Sequence, residues 1–161
     1  MKTAQLAAFY FICLLDIIPI STYAQPYVIS TDSVEITDKR TGLIWRRCVE
    51  GMVYNGSTCT GTASTFTHEF ALQHAVAMAR MSGKAWRVPE RDELASIIDK
   101  SRSDLAIDLA AFPATPADVF RSTSSYGGNP MLFWAVNFNG GNIHLSSRYA
   151  FDYVRLVRSG P

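Results

Sequence analysis

Cysteine, histidine and a few acidic and guanidinium side chains are what this 161-residue chain offers for chemistry, with only three cysteines and three histidines in all. Cys13 lies in a segment that reads as an export leader, so Cys48 and Cys59 remain as an even pair in an oxidising compartment and are expected to bond to each other. The stretch between them carries Gly51, Asn55 and Gly56, which can turn tightly enough to bring two α-carbons within the roughly 4.4–6.8 Å that a disulfide spans. Closing so short a loop contributes about 2–3 kcal/mol in the chain-entropy picture. A metal-binding pair is the competing reading, and it lacks a further Cys or His at ligand spacing. His68 and His74 are six residues apart, nearly opposite on a helix, without a Glu-x-x-His pattern. Ser122 to Ser125 stands in no nucleophile-elbow context, so a non-catalytic protein is expected.

Binding chemistry has more material. Arg87 presents five donors that suit a carboxylate or loop carbonyls, and Glu93 or an Asp of the 99–108 region is its expected partner. The two readings of Arg87 are a structural organiser and a ligand-binding residue. Arg121, Tyr126, Asn137, Asn142, His144 and Arg148 fall on neighbouring late segments, and aromatic faces with amide and guanidinium donors suit sugar rings, sulfates or carboxylates. Alternation along Leu132 to Phe138 assigns Leu132, Trp134, Val136 and Phe138 to the core and Asn137 to the other side.

The elements that must hold these residues follow from periodicity. Val34-Glu35-Ile36 and Leu43-Ile44-Trp45 flank Asp38–Gly42 turn chemistry and predict a hairpin after a polar lead from Gln25 to Ser33. Ala71, Leu72, Ala75, Val76 and Ala79 recur at helical steps between a Thr67 N-cap and a Gly83 stop. A second helix starts with Pro89 in its first turn, acidic residues Glu90, Asp92 and Glu93 at its positive end, and Leu94, Ile97 and Ile98 as its apolar face. Residues 101 to 118 read as irregular, broken by Pro113 and Pro116 and pinned by Phe112. Val119–Ser124, Leu132–Phe138, Asn142–Leu145 and Tyr153–Val157 read as strands, which makes the fold α+β.

Lys2, the apolar run Ala7–Leu15 and Thr22-Tyr23-Ala24 predict a signal peptide over residues 1–24 and one domain over 25–161, the alternative being an uncleaved N-terminal anchor. Phe11-Ile12 before Cys13 does not resemble a lipobox. A net charge of +1 provides no field to draw in nucleic acid, and no apolar run reaches the roughly 18–20 residues of a membrane span.

Asp38-Lys39-Arg40-Thr41-Gly42-Leu43-Ile44-Trp45, Cys48 with Gly51, Cys59-Thr60-Gly61, Trp86-Arg87-Val88-Pro89 with Glu93-Leu94, Ala106-Ile107-Asp108 with Phe112-Pro113, and Tyr153–Arg158 resemble the Lcl C-terminal domain family over about residues 34–158. That family is named for the end domain of a bacterial collagen-like adhesin. The Trp-Arg-Val-Pro-x-x-x-Glu-Leu segment is also similar to the formylglycine-generating, sulfatase-modifying fold. The resemblance implies a C-type-lectin-like domain in which two helices flank a small antiparallel sheet with long irregular loops. It sets Arg87 at the core edge, where an organiser is needed. His68 and Arg121 stand where the family commonly has Trp.

A lectin-like mechanism would use calcium, for which Asp99, Asp104 and Asp108 are the only acidic cluster. Their spacing is unlike an EF-hand loop, and no metal or cofactor is assigned. The chain is therefore expected to be an exported, non-catalytic binding module, periplasmic or extracellular, for a surface glycan or an envelope or surface protein. The alternatives are a structural subunit of a surface appendage or envelope complex and a sulfatase-modifying-type enzyme.

Overall fold

The computed structural model describes residues 26–102 and 104–160; the predicted leader and Cys13 lie outside them. The elements are β1 (Tyr27–Ile29), β2 (Glu35–Asp38), β3 (Leu43–Arg46), β4 (Met52–Tyr54), β5 (Cys59–Gly61), β6 (Thr65–Phe66), α1 (His68–Ser82), α2 (Arg91–Ser96), β7 (Val119–Tyr126), β8 (Asn129–Asn137), β9 (Asn142–Ser147), β10 (Asp152–Tyr153) and β11 (Val157–Ser159). They form a four-stranded sheet ordered β1-β2-β3-β11, a five-stranded sheet ordered β6-β10-β7-β8-β9 and the β4-β5 hairpin. All pairings are antiparallel except β10 with β7. The class is α+β.

Alternation along β3 and β11 explains how the layers stack. Ile44 and Leu156 face a core shared with Ala71, Ala75, Trp86 and Val88, which is where α1 packs. Trp45 and Val157 face the other core, with Ile36, Leu94, Phe112, Phe120 and Val136. The first sheet is thus buried on both faces, and the second core joins it to α2 and the second sheet. Small residues let α1 approach closely, because Ala71 and Ala75 are its buried contacts. Val76, expected in that stripe, is half exposed instead. Thr67 and Gly83 bound α1, with Gly83 in the left-handed conformation.

α2 begins later than expected. Pro89 lies outside it, and Glu90 caps it through a reciprocal capping box with Glu93. The Ser124 hydroxyl accepts from the Arg91 N–H at 2.9 Å, so β7 also supports this helix start. Four short strands stand where no strand was expected: β1 in the polar lead, β4 inside the disulfide loop, β5 running out of that loop from Cys59, and β6 just before α1. The predicted strand Tyr153–Val157 is divided, because β10 serves the second sheet and β11 the first. The chain crosses between sheets at Val154, Arg155 and Leu156, all fully buried.

Cys48 and Cys59 form a disulfide with α-carbons 5.6 Å apart, closing the β4-β5 hairpin. Gly51 has φ +91°, and a Cβ there would come within 2.6 Å of the Thr62 carbonyl oxygen, so the turn inside the loop admits glycine alone. The paired replacements Cys48→Ala and Cys59→Ala are expected to lower unfolding stability by about 2–3 kcal/mol. Urea denaturation under non-reducing conditions checks this, and unchanged stability would contradict it.

Candidate functional site

The late residues grouped in the sequence do not form one cluster. Register alone separates them: Arg121, Ala135 and His144 lie side by side across β7, β8 and β9, hence on one face. Asn137 and Asn142 pair at the far end of β8, and the Asn137 side chain accepts the Asn139 N–H at 2.8 Å within the turn. Arg148 sits at the near end, where its N–H donates to the Met131 carbonyl at 2.8 Å. Six residues of extended strand between Met131 and Asn137 separate the two ends by about 20 Å.

Arg121 is not on the surface. It is 1% exposed, pairs with Asp152 at 2.5 Å, and donates to the carbonyls of Ser147 at 3.1 Å and Ala150 at 2.7 Å. Burial pushes its pKa down, against the opposing pull of Asp152. The Ser146 hydroxyl donates to the same carboxylate at 2.7 Å. This guanidinium fastens the 147–152 loop from inside, while Tyr149 and Phe151 on that loop are both 68% exposed. His68 lies on the same inner face, with its ring stacked on Phe133 at 3.6 Å and its backbone N–H donating to the Arg148 carbonyl at 3.0 Å.

Trp134 corrects the assignment to the core: it is only part-buried, whereas Phe133 and Ala135 are buried. Tyr126 meets Trp134 edge-on, with ring centroids 5.7 Å apart and planes at 84°. The Arg91 guanidinium lies over the indole at 5.4 Å and is itself paired with Asp92 at 2.7 Å. That pairing holds the Arg91 pKa above its ordinary value and the Asp92 pKa below it. Gly128 packs against the Tyr126 ring, where a Cβ would come within 2.8 Å of Cε1. An indole, a phenol and a guanidinium therefore share the β7-β8 hairpin end, supported by α2. Aromatic faces edged by fixed charge suit a ligand with an apolar face and a polar rim.

Arg87 grips Glu93 through two bonds of 2.6 Å, and Glu93 also accepts the Glu90 N–H at 2.8 Å. The guanidinium holds the Glu93 carboxyl below its usual pKa. The Arg87 backbone exchanges both its hydrogen bonds with Val157, tying this segment to the edge of the first sheet. Arg102 sits between Asp99, at 3.0 Å, and Asp108, at 3.6 Å, so a cation there would compete with a guanidinium. No group of three or more His, Cys, Asp or Glu among the described residues is placed to hold a metal ion. Ser122 is fully buried and donates to the Trp134 carbonyl at 2.6 Å. Two further depressions lie along α1 near Leu72 and Val76, one edged by Glu69, Gln73 and Arg80 and the other by Arg87, Glu90 and Thr123.

Arg91, Gly128 and Asp152 were not singled out in the sequence. Arg91 carried one usable signal, its place in the first turn of a helix that β7 must support. Asp152 carried none, because its partner is distant in sequence.

A family model described as the Lcl C-terminal domain matches residues 34–158. No curated protein matches the chain.

Burial lowers the His68 pKa from 6.5, with the charges of Arg121 and Arg148 acting in the same direction. The folded protein thus binds a proton less readily at His68 than the unfolded chain does. The resulting stability is present above pH 6.5 and drains as the pH falls from that value through the lower pKa of the folded state. NMR titration is expected to show the His68 ring neutral below its ordinary midpoint, and His68→Phe should remove this part of the loss of stability in acid. A His68 midpoint at or above 6.5 would contradict the account.

Proposed function

The chain belongs to the Lcl C-terminal domain family, and on that premise we propose that it is an exported, non-catalytic binding module that recognises a glycan at the bacterial surface or envelope. Family membership and the disulfide support export, to the periplasm or beyond the cell. No helix among the described residues is long and apolar enough to cross a membrane. The C-type-lectin-like arrangement belongs to the same reading and is consistent with two helices beside antiparallel sheets.

One observation carries the proposal: Trp134 is held part-exposed between the Tyr126 edge and the Arg91 guanidinium. A pyranose presents an apolar face to an indole and hydroxyls to surrounding donors, so this trio offers a stacking surface with a polar border. The module is read as non-catalytic because both described cysteines are bonded and Ser122 is spent on a backbone carbonyl.

A second reading, a protein partner in a surface or envelope assembly, is favoured by exposed Phe70, Tyr149 and Phe151 around the start of α1. A glycan array with the purified chain separates the two. The proposal expects a specific carbohydrate signal, weakened about tenfold by Trp134→Ala or Arg91→Ala, a loss of about 1.4 kcal/mol, and unchanged by Asn142→Ala. Silence across the array, with Tyr149→Ala and Phe151→Ala abolishing co-purification of a defined envelope protein, would replace it with the second reading.

A further inference from the structure

β9 is the outer strand of the five-stranded sheet. Its six residues pair with β8 in unbroken register from Ser147↔Leu132 to Asn142↔Asn137. Arg148 continues that ladder, since its N–H reaches the Met131 carbonyl. In an antiparallel pair, successive residues direct their backbone groups to opposite sides, so Ser146, His144 and Asn142 point toward β8. Ile143 and Leu145 then turn their N–H and C=O groups away from the sheet. Among the described residues, no other segment's backbone bonds to these groups.

Exposed edges are normally blunted by charge, proline, a bulge or a covering segment. Among the described residues β9 has none of these devices: Asn142-Ile143-His144-Leu145-Ser146-Ser147 contains no Asp, Glu, Lys, Arg or Pro, and its register has no bulge. Ile143 is 45% exposed.

We propose that β9 is a self-association edge, pairing antiparallel with β9 of a second copy of this chain across a two-fold axis perpendicular to the sheet. Such an axis preserves the faces, so residues of like parity must oppose each other. The register that sets Ile143 against the partner subunit's Leu145, and Leu145 against the partner subunit's Ile143, uses every outward N–H and C=O of the two residues. It also lines up one apolar row, because Ile143 lies beside Val136 and Leu145 beside Trp134 within each copy. A strand without charged side chains brings no like charges together on self-pairing, which is what favours a second copy as occupant. The two sheets become one, with both Trp134 surfaces on the same side.

Sedimentation velocity over a concentration series, combined with amide hydrogen exchange, tests the edge. The expected result is a monomer–dimer equilibrium in which the Ile143 and Leu145 amides become protected as concentration rises. Ile143→Pro removes an outward N–H and spares the β8 ladder, and Ile143→Lys adds charge to an exposed position while keeping the backbone intact. Both variants should be monomeric with unchanged near-ultraviolet circular dichroism. A wild-type chain that stays monomeric at its highest soluble concentration, a dimer that survives in a folded variant, or dimerisation without protection of those amides would overturn the proposal.

Discussion

Buried guanidinium groups that donate to the oxygens of irregular segments are the constraint on which this structure rests. Arg155 has no exposed surface. Its Nη1 donates to the carbonyls of Arg46 and Arg47, and its Nη2 donates to the Thr115 hydroxyl at 2.7 Å. Phe112 lies 4.8 Å from the guanidinium carbon and Phe120 5.9 Å from it. Burial pushes the Arg155 pKa down to about 9, with Glu50 pulling the other way. One side chain thereby fastens the end of β3, the irregular 101–118 region and the crossover between the two sheets.

The same device recurs at Arg47 and Arg121. Arg47 donates to the carbonyls of Ala111 at 3.1 Å and Ala110 at 3.0 Å, beneath the Tyr54 ring at 4.3 Å. Arg121 holds the 147–152 loop. Long loops carry backbone groups that helices and strands would otherwise satisfy, and buried arginines satisfy them from within. The result is a fixed irregular surface. Aromatic side chains on such a surface would lose little freedom on meeting a ligand, which is the physical condition that the proposed binding function requires.

Much of this architecture was legible in the sequence where local rules decide the outcome. The hairpin around Asp38–Gly42, the bounds of α1 and the disulfide all follow from turn chemistry, helical spacing and cysteine arithmetic. Trp134 was misplaced because Met131 to Val136 is an unbroken apolar run, so a period of two cannot choose which face is buried. Phe133 and Ala135 took the inner face, where His68 and Arg121 crowd. Tyr153–Val157 looked like one strand because nothing local signals a change of sheet, and Arg155 inside it is the mark of the crossover. Arg121 looked available because the acid that holds it, Asp152, is thirty-one positions away.

The buried guanidinium account is tested most directly by the stability of Arg155→Met, measured by urea unfolding at neutral pH with the disulfide intact. Methionine fills much of the volume but leaves two carbonyls and the Thr115 hydroxyl without their donor. The predicted loss is about 2–4 kcal/mol, because each buried acceptor left without its donor costs about 1–3 kcal/mol. A change within about 0.5 kcal/mol of zero, the size of an ordinary surface substitution, would show that the loops are held by packing alone and contradict the account.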